Sequence, residues 1–484
     1  MKYSEIVKIL KNEKLLINYD ECDMDIKFLS YDSRNIKEGT MFFCKGFNFK
    51  EEYLDEAIEK GILCYVSKKD YHKTIPCILV NDIKKSMSIV SLNYYPDNLI
   101  LLGVTGTKGK TTVINYINNI VNEKEHKRTG FISTINLYTG KREEISINTT
   151  PEGLELHKYL HEMEEENLKY ATLEVSSQAT KMSRIYGMHF KVGCFLNIGL
   201  DHISPHEHSD FNDYLNCKIE FLKMCDNVVI YKDTDYYDYI VEKLKDKNII
   251  TYGTDESCTY YVKDIIKDKG ITYFTVVYDG KEESYSITMP STFNVLNALC
   301  SIIVGKLIGA SNREIKTALF NTKVPGRTEV IMGKCPIIID YAHNGLSLEN
   351  LFKFVKEDYP DKNIKVIIGA PGDKGFARRK DLSEISCKYA SHIYLTEVDP
   401  GSKKVKDICL EMAEYIKPFN KTYTIIENRQ KAIETAIDDC TCDDILLVTC
   451  KGNEEYQLLS NGTRPYIGDK KVVLDYLANM KVGV

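Results

Sequence analysis

Hydrophobic residues in this chain gather in short, nearly unbroken runs separated by longer amphipathic stretches. From about residue 98 the runs are "NLILLGV", "KYATLEV", "KVGCFLNI" and "DNVVIYK". From about residue 323 a second series follows: "CPIIIDYAH", "NIKVIIGAPGD", "SHIYLTEVDP", "TYTIIEN" and "DILLVTCKGNEE". A run of this kind has no polar face to turn to water. Each therefore predicts a strand buried on both sides, and the stretches between predict helices covering parallel sheets. Residues 1 to about 97 mix shorter strands and helices around "YDSRNIKEGTMFFCKG". The predicted organisation is α/β in three domains, 1–97, 98–322 and 323–484, with no short-period internal repeat.

Polar residues follow directly on these strands, as in "LEVSSQ", "NIGLDH", "DYAH", "GAPGDKG", "TEVDP" and "TCKGNEE". Open α/β sheets bind ligands beyond the carboxyl ends of their strands. Two such edges facing each other would suit a reaction that joins two substrates.

One strand end carries a phosphate cradle. "LILLGV" runs into "TGTKGKTTV" and then into the helical "INYINNIVNE". Gly106, Thr107, Lys108 and Gly109 would wrap backbone N–H groups around phosphate, with Lys110 on the terminal phosphates and Thr111 and Thr112 opening the helix. Thr111 is the candidate magnesium ligand. Val104 stands where the general P-loop pattern has its first glycine, so the motif is a variant, and it predicts ATP or GTP binding. Glu174, ending the strand of "TLEVSSQ" in the same sheet, is a candidate second magnesium ligand. Three of the ten histidines, His202, His206 and His208, fall close together in "LDHISPHEHSD", but no thiol accompanies them at zinc spacing. A helix capped near Ser209 or Asp210 follows, with Tyr214, Ile219 and Leu222 on its apolar face. Lys218, taken alone on that helix, reads as a solvated lysine.

Composition narrows the class. A net charge of −6 leaves no basic excess for general nucleic-acid binding. "MKYSEIVKILKNEKLLINYD" has no apolar h-region, and no stretch reaches the length of a membrane span. Fifteen cysteines without a C-x-x-C pair predict reduced thiols in the cytoplasm. Cys440 and Cys442 lack the second pair that a zinc site needs.

Taken in order, "GTKGKTT", "NTTPEG", "LEVSSQ", "NIGLDH" with its helical lysine, "FNVLNAL", "VPGRTEV", "DYAHN" and "KGNEEYQ" resemble the Mur ligase family, MurE type, over nearly the whole chain. The resemblance implies an N-terminal UDP-binding domain, a central P-loop ATPase domain and a C-terminal Rossmann-like domain. It implies ATP and Mg2+, with Lys110 and Thr111 on phosphate and metal, and Glu174 and His202 as further metal ligands. Lys218 would be carbamylated and help place a second magnesium. Asn294 and Asn297 would meet adenine, and Arg327 and Asp340 would meet ATP from the hinge and the C-terminal domain. Thr149, Thr150, Ser176 and Arg184 would hold a UDP-N-acetylmuramoyl dipeptide, and Ser33 its UDP. The implied reaction activates a D-glutamyl carboxylate as an acyl phosphate, which a free amino acid attacks, in cytoplasmic peptidoglycan precursor synthesis by a monomer.

Diaminopimelate-adding members of the family carry D-N-P-R, where this chain has Val398, Asp399, Pro400 and Gly401. Without the arginine a bidentate clamp on a distal carboxylate is lost. Asp399 and Glu454 favour a cationic acceptor such as L-lysine, and Arg379, in uncertain register with Arg378, aligns with an amino-acid carboxylate contact. Diaminopimelate with a rearranged clamp, and an unusual acceptor outside the main cell-wall pathway, are the alternatives. A folylpolyglutamate synthetase is disfavoured by the N-terminal segment with its "DSR" element. A nucleotide-binding subunit without activity is disfavoured by the joint presence of Lys110, Glu174, His202, Lys218 and Arg327. The missing C-x-x-C disfavours the zinc-bearing amidating relative, and no further nucleotide motif supports a switch or motor.

Overall fold

The structure is a computed structural model describing residues 1–46, 49–201, 203, 207–268, 270–290 and 292–482. Its strands form three main sheets and one small hairpin. The first sheet orders Leu16–Tyr19, Cys77–Val80, Cys64–Ser67, Thr40–Phe43 and Phe28–Ser30, antiparallel only at its first pair.

The central sheet has eleven strands. Ile100–Thr105 lies in its middle, with Tyr170–Glu174 on one side and Phe190–Phe195 on the other, all parallel. The strand order therefore reverses at the strand that feeds the phosphate cradle, where an α/β sheet opens a crevice. Helix Lys110–Glu125 packs on helix Phe293–Leu307 over one face, through residues such as Val113, Ile117, Ala298 and Ile302. The other face is covered by helices Gly153–Glu165 and Phe211–Lys223, with Leu156, Leu160, Tyr214 and Leu222 buried.

The apolar runs quoted from this region are strands, as expected. The sequence reading gave no account of the antiparallel extension Tyr260–Asp268, Ile271–Tyr278 and Lys281–Ile287. It is sided: Thr272, Phe274 and Val276 are buried, while Tyr273 on the opposite face is exposed.

The C-terminal sheet orders Glu329–Met332, Pro336–Ile339, Asp444–Val448, Asn363–Ile368, His392–Leu395 and Thr422–Ile425, parallel after its first, antiparallel pair. Beneath it Arg429 and Asp469, both fully buried, form a bidentate pair with both donor distances 2.7 Å. Truncating one partner of such a pair costs about 3–5 kcal/mol, because the other charge stays buried alone. All fifteen cysteines are free thiols. Among the described residues no helix is long and apolar enough to cross a membrane.

Candidate active site

The cradle is built by a strand that ends where a helix begins. Thr105 closes its strand, Gly106 and Gly109 take φ +151° and +85°, and the helix starts at Lys110. A Cβ at position 109 would lie 2.9 Å from Asn297 Oδ1, so only glycine lets the turn close there. Asn197 braces the turn from the neighbouring strand. Its Oδ1 accepts from Lys108 N at 2.8 Å, and its Nδ2 donates to Lys108 O at 3.1 Å. Thr107 Oγ1 accepts from Gly199 N and lies 3.0 Å from Tyr214 Oη.

Two lysines converge on this turn. Lys110 Nζ donates to Gly106 O at 3.0 Å, and Lys218 Nζ donates to the same oxygen at 3.0 Å. Lys218 stands on helix Phe211–Lys223, capped by Asp210, on the face that buries Tyr214, Ile219 and Leu222. It is 2% exposed, so the solvated reading is corrected: the helix turns it inward over Tyr214, 4.6 Å from the ring centroid. Burial, followed by repulsion from Lys110, pushes the Lys218 ammonium well below the ordinary lysine range. Burial lowers Lys110 too, against the attraction of Glu174.

Glu174 is fully buried at the end of its strand. Its carboxylate accepts from Thr134 N at 3.0 Å and from the Thr134 hydroxyl at 2.9 Å, and that hydroxyl lies 3.1 Å from Thr149 Oγ1. Thr150 donates to Glu174 O at 2.8 Å and accepts from Ser176 N at 3.1 Å. Ser176 caps the short helix Ser177–Lys181. Arg184 donates to Thr150 O at 2.8 Å and pairs with Glu152 at 2.5 Å. Lys45, in the loop after strand Thr40–Phe43 of the first sheet, meets the same Glu152, so two cations share one carboxylate.

Between the central and C-terminal sheets lies a cavity of about 350 Å³. Tyr231, Tyr252, Met289 and Phe293 give it an apolar wall beside Asn294 and Asn297. Asn297 Nδ2 donates to Asn294 Oδ1 at 3.0 Å. Arg327 reaches in from the hinge, its Nη2 3.4 Å from Thr111 Oγ1 and its guanidinium 4.7 Å from the Tyr341 ring. Asp340 accepts from Thr328 N and Ala342 N at 2.6 and 2.7 Å, holding the turn that aims Arg327. Burial raises the Asp340 carboxyl, and Arg327 opposes the rise. At the cavity mouth Asp201 faces Lys108 at 3.6 Å, Arg378 at 3.0 Å and Asn344 at 2.9 Å. Burial brings Lys108 down to about 7 despite that carboxylate.

A second polar group lies in the C-terminal loops. Lys451, fully buried, donates to Asp399 Oδ1 at 2.9 Å and pairs with Glu454 Oε2 at 2.6 Å. Tyr341 Oη donates to Glu454 Oε1 at 2.9 Å, and Leu458 N donates to Asp399 at 3.0 Å. Asp399 itself has φ +46°. Two carboxylates thus share one ammonium.

The Mur ligase middle domain matches residues 104–305, and the Mur ligase glutamate ligase domain matches residues 326–452. The chain is 36% identical to the UDP-N-acetylmuramoyl-L-alanyl-D-glutamate–L-lysine ligase of Enterococcus faecalis, over 92% of this chain and 90% of that one. It is 37% identical to the enzyme of that name from Streptococcus thermophilus, over 98% of each. The chain belongs to the Mur ligase family. A solved UDP-N-acetylmuramoyl-L-alanyl-D-glutamate–2,6-diaminopimelate ligase shares the fold of this Mur ligase, with a TM-score of 0.67, 20% identity and 99% of both chains covered. The protein is accordingly an ATP-dependent, peptide-forming ligase with the α/β architecture of its family.

The structure brings most of the expected site residues of this Mur ligase together. Lys110, Thr111, Glu174, Lys218, Asn294, Asn297, Arg327 and Asp340 surround the cradle and its cavity, while His202 lies outside the described residues. Arg379 requires correction as a contact for the acceptor. It is 1% exposed and spends its guanidinium on Pro371 O, Gly372 O and Glu411, holding its own loop together. Arg378, the alternative register, faces Asp201, and Lys374 is the exposed cation of that loop. Ser33 is buried and donates to Glu56 at 2.7 Å. Thr150 is also buried, so its hydroxyl serves the wall behind Ser176.

Sequence reasoning passed over Thr134, Asn197, Lys451 and Tyr341. Thr134 and Asn197 follow strand ends, the rule already applied to Glu174. Lys451 lay inside the quoted "KGNEEYQ" with nothing in the sequence to show its burial.

Proposed function

We propose that this Mur ligase joins L-lysine to UDP-N-acetylmuramoyl-L-alanyl-D-glutamate with cleavage of ATP to ADP and phosphate. The supporting observation is the sharing of Lys451 by Asp399 and Glu454. One ammonium between two carboxylates leaves the group one negative charge in excess, which suits a cationic acceptor side chain and repels a distal carboxylate. The names carried by the Enterococcus and Streptococcus relatives support the same acceptor.

In this reading ATP lies in the cavity with adenine by Asn294 and Asn297 and its phosphates in the turn from Gly106 to Thr112. The dipeptide's carboxylate is held by Thr149, Ser176 and Arg184, with UDP towards Ser33 and Lys45. That carboxylate attacks the γ-phosphorus, and the bond to the ADP oxygen breaks. The acceptor's ammonium gives one proton to solvent, the amine attacks the resulting acyl carbon, and inorganic phosphate and a second proton leave as the amide forms. The chain's task is positioning and charge neutralisation, which Lys108, Lys110 and Arg327 supply.

Thr111 and Glu174 offer a hydroxyl and a buried carboxylate beside the phosphate turn, a donor set that fits Mg2+. His202, the further ligand the family resemblance implies, lies outside the described residues. The metal would neutralise charge on the transferred phosphoryl group. Lys218, deeply buried and without a carboxylate in salt-bridge range among the described residues, is suited to carry carbon dioxide as a carbamate. Arg379 anchors the acceptor loop, which leaves Lys374 for the acceptor's α-carboxylate. We place the reaction in the cytoplasm, carried out by a monomer.

Phosphate release measured with the UDP-dipeptide, ATP, Mg2+ and single amino acids tests the reading. Turnover with L-lysine and none with meso-diaminopimelate is expected. Turnover with diaminopimelate alone would overturn it.

A further inference from the structure

A second group of ligand-type side chains lies where the loop after strand Phe190–Phe195 enters helix Phe211–Lys223. His208 is fully buried, with Nδ1 3.1 Å from Asp213 Oδ2 and Nε2 2.9 Å from Ser177 Oγ. Cys217, one helical turn beyond Asp213, places its sulfur 3.7 Å from Asp213 Oδ1. The three donor atoms, imidazole nitrogen, carboxylate oxygen and thiol sulfur, all lie within 4.8 Å of one another. The mechanism proposed above uses none of them.

Ser177, His208 and Asp213 have the order of a hydrolase relay. Ser177 is 4% exposed, however, so no substrate carbonyl reaches its hydroxyl. A cation fits the arrangement better. Asp213 already holds one, the Lys181 ammonium, and that side chain is 29% exposed and free to turn into solvent. Donor atoms around a tetrahedral zinc ion stand about 3–4 Å apart. His208 meets Asp213 Oδ2 and Cys217 meets Oδ1, so the carboxylate would bridge the two sides with both oxygens or turn about its own axis. With all donors within 4.8 Å of one another, the remaining approach is about 1 Å.

We infer that His208, Asp213 and Cys217 form an inhibitory site for a borderline-soft divalent cation of the Zn2+ class, separate from the magnesium ligands beside the phosphate turn. One nitrogen, one oxygen and one sulfur donor select against Mg2+, which takes oxygen ligands. Ser177 fits both states of the imidazole. Its hydroxyl donates to Nε2 when Nδ1–H faces Asp213, and accepts from Nε2–H when Nδ1 ligates the metal. On binding, the S–H bond of Cys217 breaks, its proton passes to solvent and a metal–sulfur bond forms, while Lys181 leaves Asp213 still charged. Cys217 precedes Lys218 and Ser177 follows Ser176, so a cation that draws these segments together shifts the phosphate and dipeptide sides of the site at once.

The full chain titrated with Co2+ in excess Mg2+ tests this through the near-ultraviolet thiolate-to-cobalt absorption band. One saturable equivalent is expected. Zn2+ should erase the band and inhibit ligation. Cys217→Ser should lose the band and the zinc inhibition while keeping its metal-free activity. Ser177→Ala should keep the band with affinity weakened about tenfold. No band in the unaltered chain, or an undiminished band in Cys217→Ser, would overturn the inference. The inhibition arm rests on the proposed ligase activity. The cobalt band does not, so failure of the lysine assay would leave the metal site still decided by the spectrum.

Discussion

Lys110 and Lys218 each place Nζ 3.0 Å from one acceptor, the carbonyl oxygen of Gly106. Lys110 also donates to Thr107 O at 3.2 Å and Lys218 to Thr105 Oγ1 at 3.5 Å, yet burial and the mutual repulsion of the pair push Lys218 well below the ordinary lysine range. The fold holds this unfavourable contact at the turn that would cradle phosphate, where anions would reverse its sign.

Lys218→Met should therefore separate stability from activity. Removing a buried, crowded charge is expected to raise the thermal midpoint. Turnover is expected to fall about 10²–10³-fold, the usual cost of losing one charge-positioning group. Calorimetry and phosphate release check the two halves. A lowered midpoint with near-normal turnover would contradict this account of Lys218.

Lys108, brought down to about 7 by burial despite the Asp201 carboxylate, is partly neutral at neutral pH before phosphate binds. Phosphate binding raises its pKa, so ATP binding near pH 7 should take up about half a proton. Titration calorimetry in buffers of different ionisation enthalpy measures this directly. Uptake should shrink as pH falls below 7, and should be reduced in Lys108→Met, any remainder coming from Lys110 and Lys218, which burial also lowers.

Gly326 takes φ +66° in the hinge before Arg327, and a Cβ there would lie 2.8 Å from the Gly452 carbonyl carbon. Gly326→Ala is expected to cost about 1–3 kcal/mol and to depress turnover, because it pushes the hinge off the loop carrying Lys451 and Glu454. Thermal unfolding and steady-state kinetics on one preparation report both effects.

His157 is fully buried in helix Gly153–Glu165, and neither ring nitrogen has a hydrogen-bond partner among the described residues. Burial lowers its pKa from 6.5 to about 3. Between these values the unfolded chain binds a proton that the fold refuses, so stability falls as pH falls from 6.5 towards 3. The loss reaches about 2 kcal/mol by pH 5. His157→Leu should flatten that part of the stability profile in urea unfolding at pH 7 and pH 5, and an unchanged slope would contradict it.

The sequence was most legible where local pattern and tertiary burial agree. "LILLGV" and "ILLV" are apolar throughout because both their faces are covered, so they read directly as parallel strands. "ITYFTVVY" carries a weaker signal, since a strand that buries one face alternates apolar and polar residues. The phosphate turn was legible because glycine, lysine and threonine must sit next to one another in sequence to form it. Lys218 was legible only through the family motif, and its burial, like that of Lys451, was not, because a lysine's burial depends on elements distant in the chain. Arg379 shows the same limit from the other side. Its position in a motif suggested a ligand contact, while its partners Glu411 and Pro371 O tie it into the loop.

The proposed acceptor rests on one buried ammonium serving two carboxylates. A direct competition tests it: equal concentrations of L-lysine and meso-diaminopimelate with the UDP-dipeptide, ATP and Mg2+, and the products resolved by mass. The lysine adduct should dominate, and Asp399→Asn, which removes the excess charge, should erode that preference. A diaminopimelate adduct as the main product of the unaltered enzyme would contradict the account.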